Sequence, residues 1–253
     1  MHFLYAHGQS VQQMALQVFV GGRTRSIREA CDLRWDILVK LEIWHNIVWS
    51  AYKAGVFNAL AVQARADGVD FKVLQIATTS RDREALSGVD TSRHKYPFEL
   101  IFNTSYSRIP LWRLIRELAT RTWNSDADMT MLVEISRPEY WVQALILWAQ
   151  GRKRAVFCDS TLYDHEQTFW KGLAKRVMFQ LCGNVFCYGA RARDYALHFG
   201  VQPENIFHRN QAAALPEDYD AASIPARRVA ADGGAPLFLY VGRLSAEKRI
   251  ETL

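Results

Sequence analysis

The 253-residue chain is 49% apolar and 12% aromatic, which excludes an intrinsically disordered protein and allows one or two folded domains. No uninterrupted apolar run approaches the roughly 20 residues of a membrane-spanning helix, and the opening residues lack a signal-peptide pattern. The net charge of +5 suits acidic partners such as nucleotides or anionic membranes without choosing among them. The four cysteines lack Cys-x-x-Cys spacing, so we expect structural thiols in a cytoplasmic protein.

Short apolar runs alternate with segments of helical spacing along most of the chain. Residues 1–33 mix turn residues and charge without a firm period, and we treat them as an extension of uncertain structure. Strands that alternate with helices predict an α/β fold, a Rossmann-like doubly wound parallel sheet. The strand-like runs are WDILVKLEI (35–43), FKVLQIA (71–77), FELIF (98–102), MTMLVEI (129–135), AVFC (155–158), NVFCYG (184–189) and PLFLYVG (236–242).

Helix signals lie between these runs. Pro110 and Pro138 suit the first turns of two helices, and Gly151 and Gly200 suit the ends of two. The clearest helix is 166–181, whose apolar residues share one stripe that predicts a core-facing side. The residues of this stripe are Phe169, Trp170, Leu173, Ala174, Val177, Met178 and Leu181.

A change in composition predicts a domain boundary near the end of the chain. Residues 216–235 are rich in Ala, Pro, Gly and Asp and lack a steady period, which is typical of an interdomain linker. We therefore expect one Rossmann-like domain at 34–215 and only the first strand and loop of a second, truncated domain at 236–253. The sequence alone leaves open whether it is a piece of a longer protein or a naturally shortened one.

The closing motif LYVGRLSAEK combines a strand end with two cations. Gly242 would let the backbone approach a ligand closely, and Arg243 could form paired hydrogen bonds with phosphate oxygens. Lys248 adds a second positive charge nearby. A departing diphosphate would be stabilised by this arrangement, although an ordinary strand, turn and helix with solvated charges explains the motif equally well.

The segment LYVGRLSAEKRIETL resembles the opening of the nucleotide-sugar-binding domain in glycosyltransferase family 4. AYKAGVFNALAVQ and YALHFGVQPENIFHRNQ are similar to the family's stretches after the first strand and before the linker. The resemblance covers about residues 35–253, and the terminal motif is its most specific part. Five residues there fall on the family's pattern: Gly242, Arg243, Leu244, Glu247 and Lys248.

This resemblance implies a GT-B fold, in which two Rossmann-like domains face a cleft. The N-terminal domain would take the acceptor and the C-terminal one the donor, with Arg243 and Lys248 on the donor's diphosphate beside Gly242. The implied enzyme is a retaining hexosyltransferase that moves a sugar from a nucleotide-diphosphate sugar to a polysaccharide or lipid-linked glycan. It would need no metal and no other cofactor. Because the family's later glutamate-rich signature is absent, we expect this chain to be weakly active or inactive.

The acceptor side departs from the family pattern. The glycine-rich loop after the first strand is not evident, since EIWHNIVW stands in its place. We expect His45 of that segment to lie in a loop that borders both ligands. Asp159 stands where members often carry a histidine, and it could accept a proton from an acceptor hydroxyl or merely cap a turn.

Two further side chains are candidates on this side. His165 could assist Asp159 or bind a sugar hydroxyl, or it could lie on an ordinary first turn at the surface. Glu134 comes late in an apolar run, so it either reaches the cleft or pairs with a neighbour such as Arg137.

Basic residues flank aromatic ones on two predicted helices. They could meet anionic lipid at the inner face of the membrane, although solvated helix faces above a core stripe explain the pattern more simply. No motif supports nucleic-acid binding. The residues concerned are Arg108, Arg113, Arg116, Lys171, Lys175 and Arg176, with Trp112 or Trp170 at the interface.

Two other functions stay open. A truncated, non-catalytic protein would bind a glycan or a partner without transferring sugar. A sugar-nucleotide epimerase of the same architecture would release free nucleotide diphosphate without any acceptor.

Overall fold

The computed structural model describes residues 39–84, 88–164 and 168–208, together with the backbone of 18–20 and 23–25. Several predicted features lie outside these residues. They are the donor residues Gly242, Arg243 and Lys248, the linker 216–235, the strand 236–242 and His165. The predicted domain bounds therefore stay predictions.

Strands of the described region form a hairpin and one larger sheet. Strands β1 and β2 pair antiparallel, while β3 to β9 form a sheet in the order β5-β4-β3-β6-β7-β8-β9 in which every pairing is parallel. The bounds are β1 Val18–Val20, β2 Arg23–Arg25, β3 Val39–Ile47, β4 Val69–Thr79, β5 Phe98–Ser105, β6 Met129–Leu132, β7 Lys153–Cys158, β8 Asn184–Cys187 and β9 Ile206–Phe207.

Helices cover both faces of the sheet. Buried residues of α1 pack on one face, and those of α2 to α5 pack on the other. This arrangement confirms the predicted Rossmann-like doubly wound parallel sheet. The helices are α1 Ala51–Ala66, α2 Leu111–Asn124, α3 Pro138–Ala149, α4 Phe169–Cys182 and α5 Ala190–His198.

Two hydrophobic cores explain the apolar strands. In β4, Phe71 and Val73 point into the core on the α1 side, whereas Leu74 and Ile76 point into the core on the other side. A parallel strand that is buried on both faces reads as a nearly continuous apolar run, which is how these runs look in the sequence.

Helix ends follow the proline and glycine signals closely. Pro138 opens α3, and Gly151, just beyond its end, has a φ of 66° that favours glycine. Gly200 follows α5 with a φ of 87°. Pro110 lies one position earlier than expected, because it caps α2 from outside the first turn.

Two strand bounds differ from the prediction and move two candidate residues. His45 lies inside β3 and not in a loop, because β3 keeps pairing with β4 as far as Ile47 opposite Ala77. Conversely, β6 ends at Leu132, so Glu134 follows the strand. Both side chains consequently lie at the carboxyl edge of the sheet.

The core-facing stripe predicted for 166–181 is wrong for most of its length. The helix begins at Phe169, and that residue and Trp170 are 76% and 75% exposed. Leu173 and Val177 are exposed as well, and burial is confined to the last turn of α4, where Met178 packs in the core. The earlier turns meet the domain through other residues, such as Lys175, which lies 5.2 Å from the Tyr195 ring centroid. An apolar period alone therefore did not reveal which residues are covered.

Candidate functional site

A cavity of about 410 Å³ opens where the carboxyl ends of β3 to β8 meet. From β3, successive strands are added on one side as far as β5, and from β6 they are added on the other side as far as β9. The point between β3 and β6 is a topological switch point, which is where open α/β sheets bind ligands. Asn46 at the end of β3 donates to Glu134 after β6 across this point, at 3.3 Å. Charged side chains of both signs line the cavity: Lys53, Arg81, Arg83, Arg137, Asp82, Glu134 and Asp159.

The structure brings together three of the four predicted acceptor-side residues. His45, Glu134 and Asp159 all line the cavity, although four strands, β4 to β7, separate His45 from Asp159 in the sequence. The roles predicted for them stay predictions, as does that of His165.

Asp159 offers a carboxylate to the cavity. It directly follows β7 and is exposed, and within the described residues no hydrogen bond or ion pair engages it. The turn-stabilising role belongs instead to Asp164, which accepts from the Thr161 hydroxyl at 3.0 Å. Asp159 is therefore available to accept a hydrogen bond or a proton from a ligand hydroxyl.

Lys53 extends from the first turn of α1 into a cage of aromatic rings. Its ammonium donates to the Tyr188 hydroxyl and lies 4.4 Å from the Tyr188 ring centroid, with Tyr52 and Phe157 at 5.5 Å and 5.8 Å. Burial lowers the pKa of Lys53 to about 8, while the charge of Asp159 opposes that shift. The ammonium stays charged at neutral pH and is held beside the amino terminus of α1, where backbone N–H groups also favour anions.

Two arginines approach the cavity from the turn after β4. The Arg83 guanidinium donates to the Ser80 hydroxyl at 2.9 Å and lies 5.3 Å from the Trp49 ring centroid. Within the described ranges, no ion pair engages Arg81, Arg83 or Lys53. All three cations can therefore bind an anionic ligand without first breaking an ion pair.

Glu134 combines both of its predicted alternatives. Its carboxylate lines the cavity and also accepts from the Arg137 guanidinium at 3.1 Å and from Ser136 at 2.9 Å. Arg137 in turn lies 4.5 Å from the Tyr106 ring centroid. Glu134 is thus a fixed hydrogen-bond acceptor at the switch point, in contrast to the unengaged Asp159.

A buried carboxylate, that of Glu139, lies next to the Glu134–Arg137 ion pair. Glu139, in the first turn of α3, is 2% exposed and accepts from the Tyr106 hydroxyl. Its carboxylate is 3.9 Å from Arg137. Burial and the neighbouring carboxylate raise the pKa of Tyr106, so that hydroxyl keeps its proton and donates. Glu139 therefore links the end of β5 to α3 and orients Arg137.

His45 is the first member of a chain of hydrogen bonds that runs from the cavity to the surface. Its Nδ1 lies 3.0 Å from the Gln75 carbonyl oxygen, and the Gln75 amide donates to the Tyr96 hydroxyl at 2.7 Å. Tyr96 lies 2.7 Å from Nδ1 of His94. Burial lowers the pKa of His45 to about 4, so the ring is neutral. The Gln75 oxygen then requires the proton on Nδ1.

Sequence reasoning missed most of the cations and hydroxyls of this site. Lys53, Arg81 and Arg83 each lie within a few residues of a strand's carboxyl end, and this position was the signal that could have found them. Tyr188, which likewise follows β8, is 135 residues from its partner Lys53.

Comparisons with known proteins give matches among solved structures alone. No family model and no curated protein matches the chain. A Listeria monocytogenes protein assigned as a UDP-N-acetylglucosamine 2-epimerase is 12% identical, with a TM-score of 0.51, over 75% of this chain and 51% of that one. Another UDP-N-acetylglucosamine 2-epimerase is 13% identical over 75% and 54%, with a TM-score of 0.49. One from Neisseria meningitidis, bound to UDP-GlcNAc, is 14% identical over 68% and 46%, with a TM-score of 0.46.

The first of these likenesses shows the fold. UDP-N-acetylglucosamine 2-epimerases share the GT-B fold with glycosyltransferase family 4. The Rossmann-like fold predicted for the N-terminal half is therefore confirmed, while the second domain and the family stay predictions. The chain spans about half the length of the Listeria protein. No helix in the described part of the chain is long and apolar enough to cross a bilayer.

Proposed function

We propose that the protein acts on a nucleotide sugar and that the described domain supplies the wall of the site that faces the sugar. The observation that carries this proposal is the cavity at the switch point. There Lys53, Arg81 and Arg83, which form no ion pair within the described residues, lie together with the Asp159 carboxylate. Cations suit the diphosphate of such a substrate or an anionic acceptor, and a free carboxylate suits a sugar hydroxyl.

Epimerisation of the sugar is the first candidate reaction. It draws support from the likeness to the Listeria protein assigned as a UDP-N-acetylglucosamine 2-epimerase, which has the same fold. Epimerisation requires acid–base groups on the sugar ring. Asp159 is a carboxylate at the cavity that could take up a proton, and Glu134 is a second carboxylate that lines the same wall. His45 also lines the cavity, where burial keeps its ring neutral.

Transfer of the sugar to a hydroxyl acceptor is the second candidate reaction. It draws support from the resemblance of LYVGRLSAEKRIETL to glycosyltransferase family 4, with Arg243 and Lys248 proposed on the donor diphosphate beside Gly242. In this reaction Asp159 would orient the acceptor hydroxyl or accept its proton, and no metal would take part. The acceptor would be a polysaccharide or a lipid-linked glycan in the cytoplasm.

An acceptor-omission assay separates the two reactions. The 253-residue chain is incubated with a panel of nucleotide sugars, and the sugar products are identified by NMR with and without glycan acceptors. A changed sugar stereocentre without acceptor supports epimerisation, whereas nucleotide release that depends on the acceptor supports transfer. Because the chain spans about half the length of its structural neighbour, we expect slow turnover in either case. A chain that binds nucleotide sugar but converts none would be a binding protein.

Asp159→Asn tests the proposed role of the carboxylate. We expect turnover to fall about 100-fold while nucleotide-sugar binding is kept, because the amide has a similar shape but cannot accept a proton. Asp164→Asn is the control, since that carboxylate engages Thr161. Unchanged turnover in Asp159→Asn would contradict the role.

A further inference from the structure

Asp159 and Tyr188 follow two neighbouring strands at the same level of the sheet. Each comes directly after one of two register partners, Cys158 at the end of β7 and Cys187 at the end of β8. The Tyr188 backbone N–H donates to the Cys158 carbonyl oxygen at 3.1 Å, so the two strands stay side by side to this point. Both residues also line the cavity, so they can meet the same ligand.

The hydrogen-bonding direction of the Tyr188 hydroxyl is set by Lys53. An ammonium group has three donors and no acceptor, so the Tyr188 oxygen accepts from Lys53 and cannot donate to it. Burial raises the pKa of Tyr188, and the charge of Asp159 adds to that shift, so the hydroxyl keeps its proton. Within the described residues no second hydrogen bond engages this hydroxyl. Its proton is consequently available to an oxygen of a ligand.

Asp159 offers the complementary group. Its carboxylate is an acceptor that lines the same cavity, and in the part of the chain that the structure describes Tyr188 does not donate to it. A donor and an acceptor that face one cavity without bonding to each other are both available to a third group. A hydroxyl both accepts and donates through one oxygen, so it can satisfy the two side chains together.

Charged groups fit the position between Tyr188 and Asp159 less well than a hydroxyl does. A phosphate oxygen could accept from Tyr188, but the negative charge of Asp159 would repel it. An ammonium could donate to Asp159, but it has no lone pair with which to accept from Tyr188. Two N–H groups of Lys53 remain for an anionic part of the same ligand. The pair therefore favours a neutral hydroxyl, with an anion nearby on Lys53.

We propose that Tyr188 and Asp159 together bind one hydroxyl group of the ligand's sugar, Tyr188 as the donor and Asp159 as the acceptor. Lys53 positions Tyr188 by holding its oxygen. The inference rests on the proposed nucleotide-sugar function for its ligand class, and it names the part of that ligand which the cavity recognises. An analogue without this hydroxyl would leave both side chains unpaired, so the site discriminates against it. Tyr188 is therefore a specificity-determining residue.

Binding of deoxy sugars to the 253-residue chain tests this proposal. The best-bound member of a panel of UDP-, GDP- and ADP-sugars is titrated calorimetrically beside its monodeoxy analogues. We expect one analogue to bind the native chain about tenfold or more weakly than its parent. In Tyr188→Phe the ratio of these two affinities should fall about threefold or more, because phenylalanine keeps the ring and lacks the donor.

Tyr163→Phe is the matched control for this change. It removes the hydroxyl of a tyrosine that is 85% exposed and lies outside the cavity lining, so it should keep the native ratio. Circular dichroism melts check that each variant is folded. The proposal is overturned if every deoxy analogue binds the native chain as tightly as its parent. It is also overturned if Tyr188→Phe weakens parent and analogue by the same factor, because the tyrosine would then act on the structure or on another part of the ligand.

Free sugars separate a failure of this proposal from a failure of the proposed function. If no nucleotide sugar binds, saturation-transfer NMR with glucose, N-acetylglucosamine, mannose and galactose tests the hydroxyl site by itself. Binding of a free sugar that Tyr188→Phe weakens and Tyr163→Phe does not would support the hydroxyl site and contradict the nucleotide-sugar function. Absence of binding to every free sugar and every nucleotide sugar would overturn both.

Discussion

At the scale of single residues, the cavity depends on groups whose protonation is set by burial. Lys53 is the clearest case, because its aromatic cage removes water from the ammonium without supplying an ion pair. The charged form is then disfavoured in the folded protein, and the charge becomes available to a ligand that supplies the missing anion. Binding of an anionic ligand would therefore stabilise the charged form of Lys53.

The lowered pKa of Lys53 makes a prediction about ligand binding. With a pKa of about 8, the ammonium is mostly charged at pH 7 and mostly neutral at pH 9. Affinity for uridine diphosphate, measured by calorimetry, should therefore fall roughly five- to tenfold between these pH values, because the charged fraction of Lys53 falls by about that factor. A tenfold change in affinity corresponds to about 1.4 kcal/mol. Lys53→Met should bind weakly with little dependence on pH. Equal pH dependence in both proteins would rule out this role.

The buried imidazole of His45 makes a prediction about stability. Its folded pKa of about 4 lies below the ordinary value of 6.5, so the unfolded chain binds more protons between these pH values. Stability due to this group is therefore lost as the pH falls from 7 to 5, by on the order of 1–2 kcal/mol. Urea unfolding of the native chain and of His45→Asn at both pH values measures the difference. The prediction fails if both proteins lose the same free energy.

At the scale of elements, Glu139 ties the end of β5 to the start of α3. Replacing it in Glu139→Leu leaves the Tyr106 hydroxyl buried without its acceptor and removes one carboxylate beside Arg137. We expect the free energy of unfolding to fall by about 2–3 kcal/mol, the cost of an unsatisfied buried donor together with a lost charged partner.

Glu117→Leu is the control for this change, because Glu117 pairs with Arg121 at the surface of α2. Exposed pairs of this kind contribute less than about 1 kcal/mol. Denaturant unfolding of both variants gives the comparison. If Glu139→Leu costs no more than Glu117→Leu, the buried link does not stabilise the fold.

Element type was predictable where the apolar pattern was decisive. From β3 onward strands and helices alternate as predicted, except that the described residues between β4 and β5 form only short 3-10 turns. The alternation was predictable because runs buried on both sheet faces and prolines at helix starts are visible locally. The end of β3 was not predictable, since it depends on continued pairing of His45 and Ile47 with β4. The exposure of Trp170 was equally hidden, because a period shows that apolar residues share a face but not that anything covers it.

The sequence predicted that the site lies at the carboxyl edge of the sheet, but not most of the residues that line it. Asp159 was found because it follows an apolar run, and Glu134 because it is a carboxylate near the end of one. The Lys53–Tyr188 contact spans 135 residues, and the Tyr106–Glu139 contact spans 33. Such contacts follow from the sheet order β5-β4-β3-β6-β7-β8, which brings the ends of distant strands together and which no local pattern records.

At the scale of the whole molecule, a parallel sheet with a switch point places cations and a free carboxylate in one cavity. The fold is shared with nucleotide-sugar enzymes, while the chemistry proposed here comes from the side chains that the sheet collects.

Calorimetric titration of the 253-residue chain with UDP-, GDP- and ADP-sugars tests the central claim most directly. We expect at least one nucleotide sugar to bind, and Arg81→Met with Arg83→Met to weaken that binding about tenfold or more, because these cations line the cavity without ion pairs. Arg65→Met, in the last turn of α1, should bind as the native chain does. Absence of binding to every nucleotide sugar, or binding that the cavity variant leaves unchanged, would contradict the account.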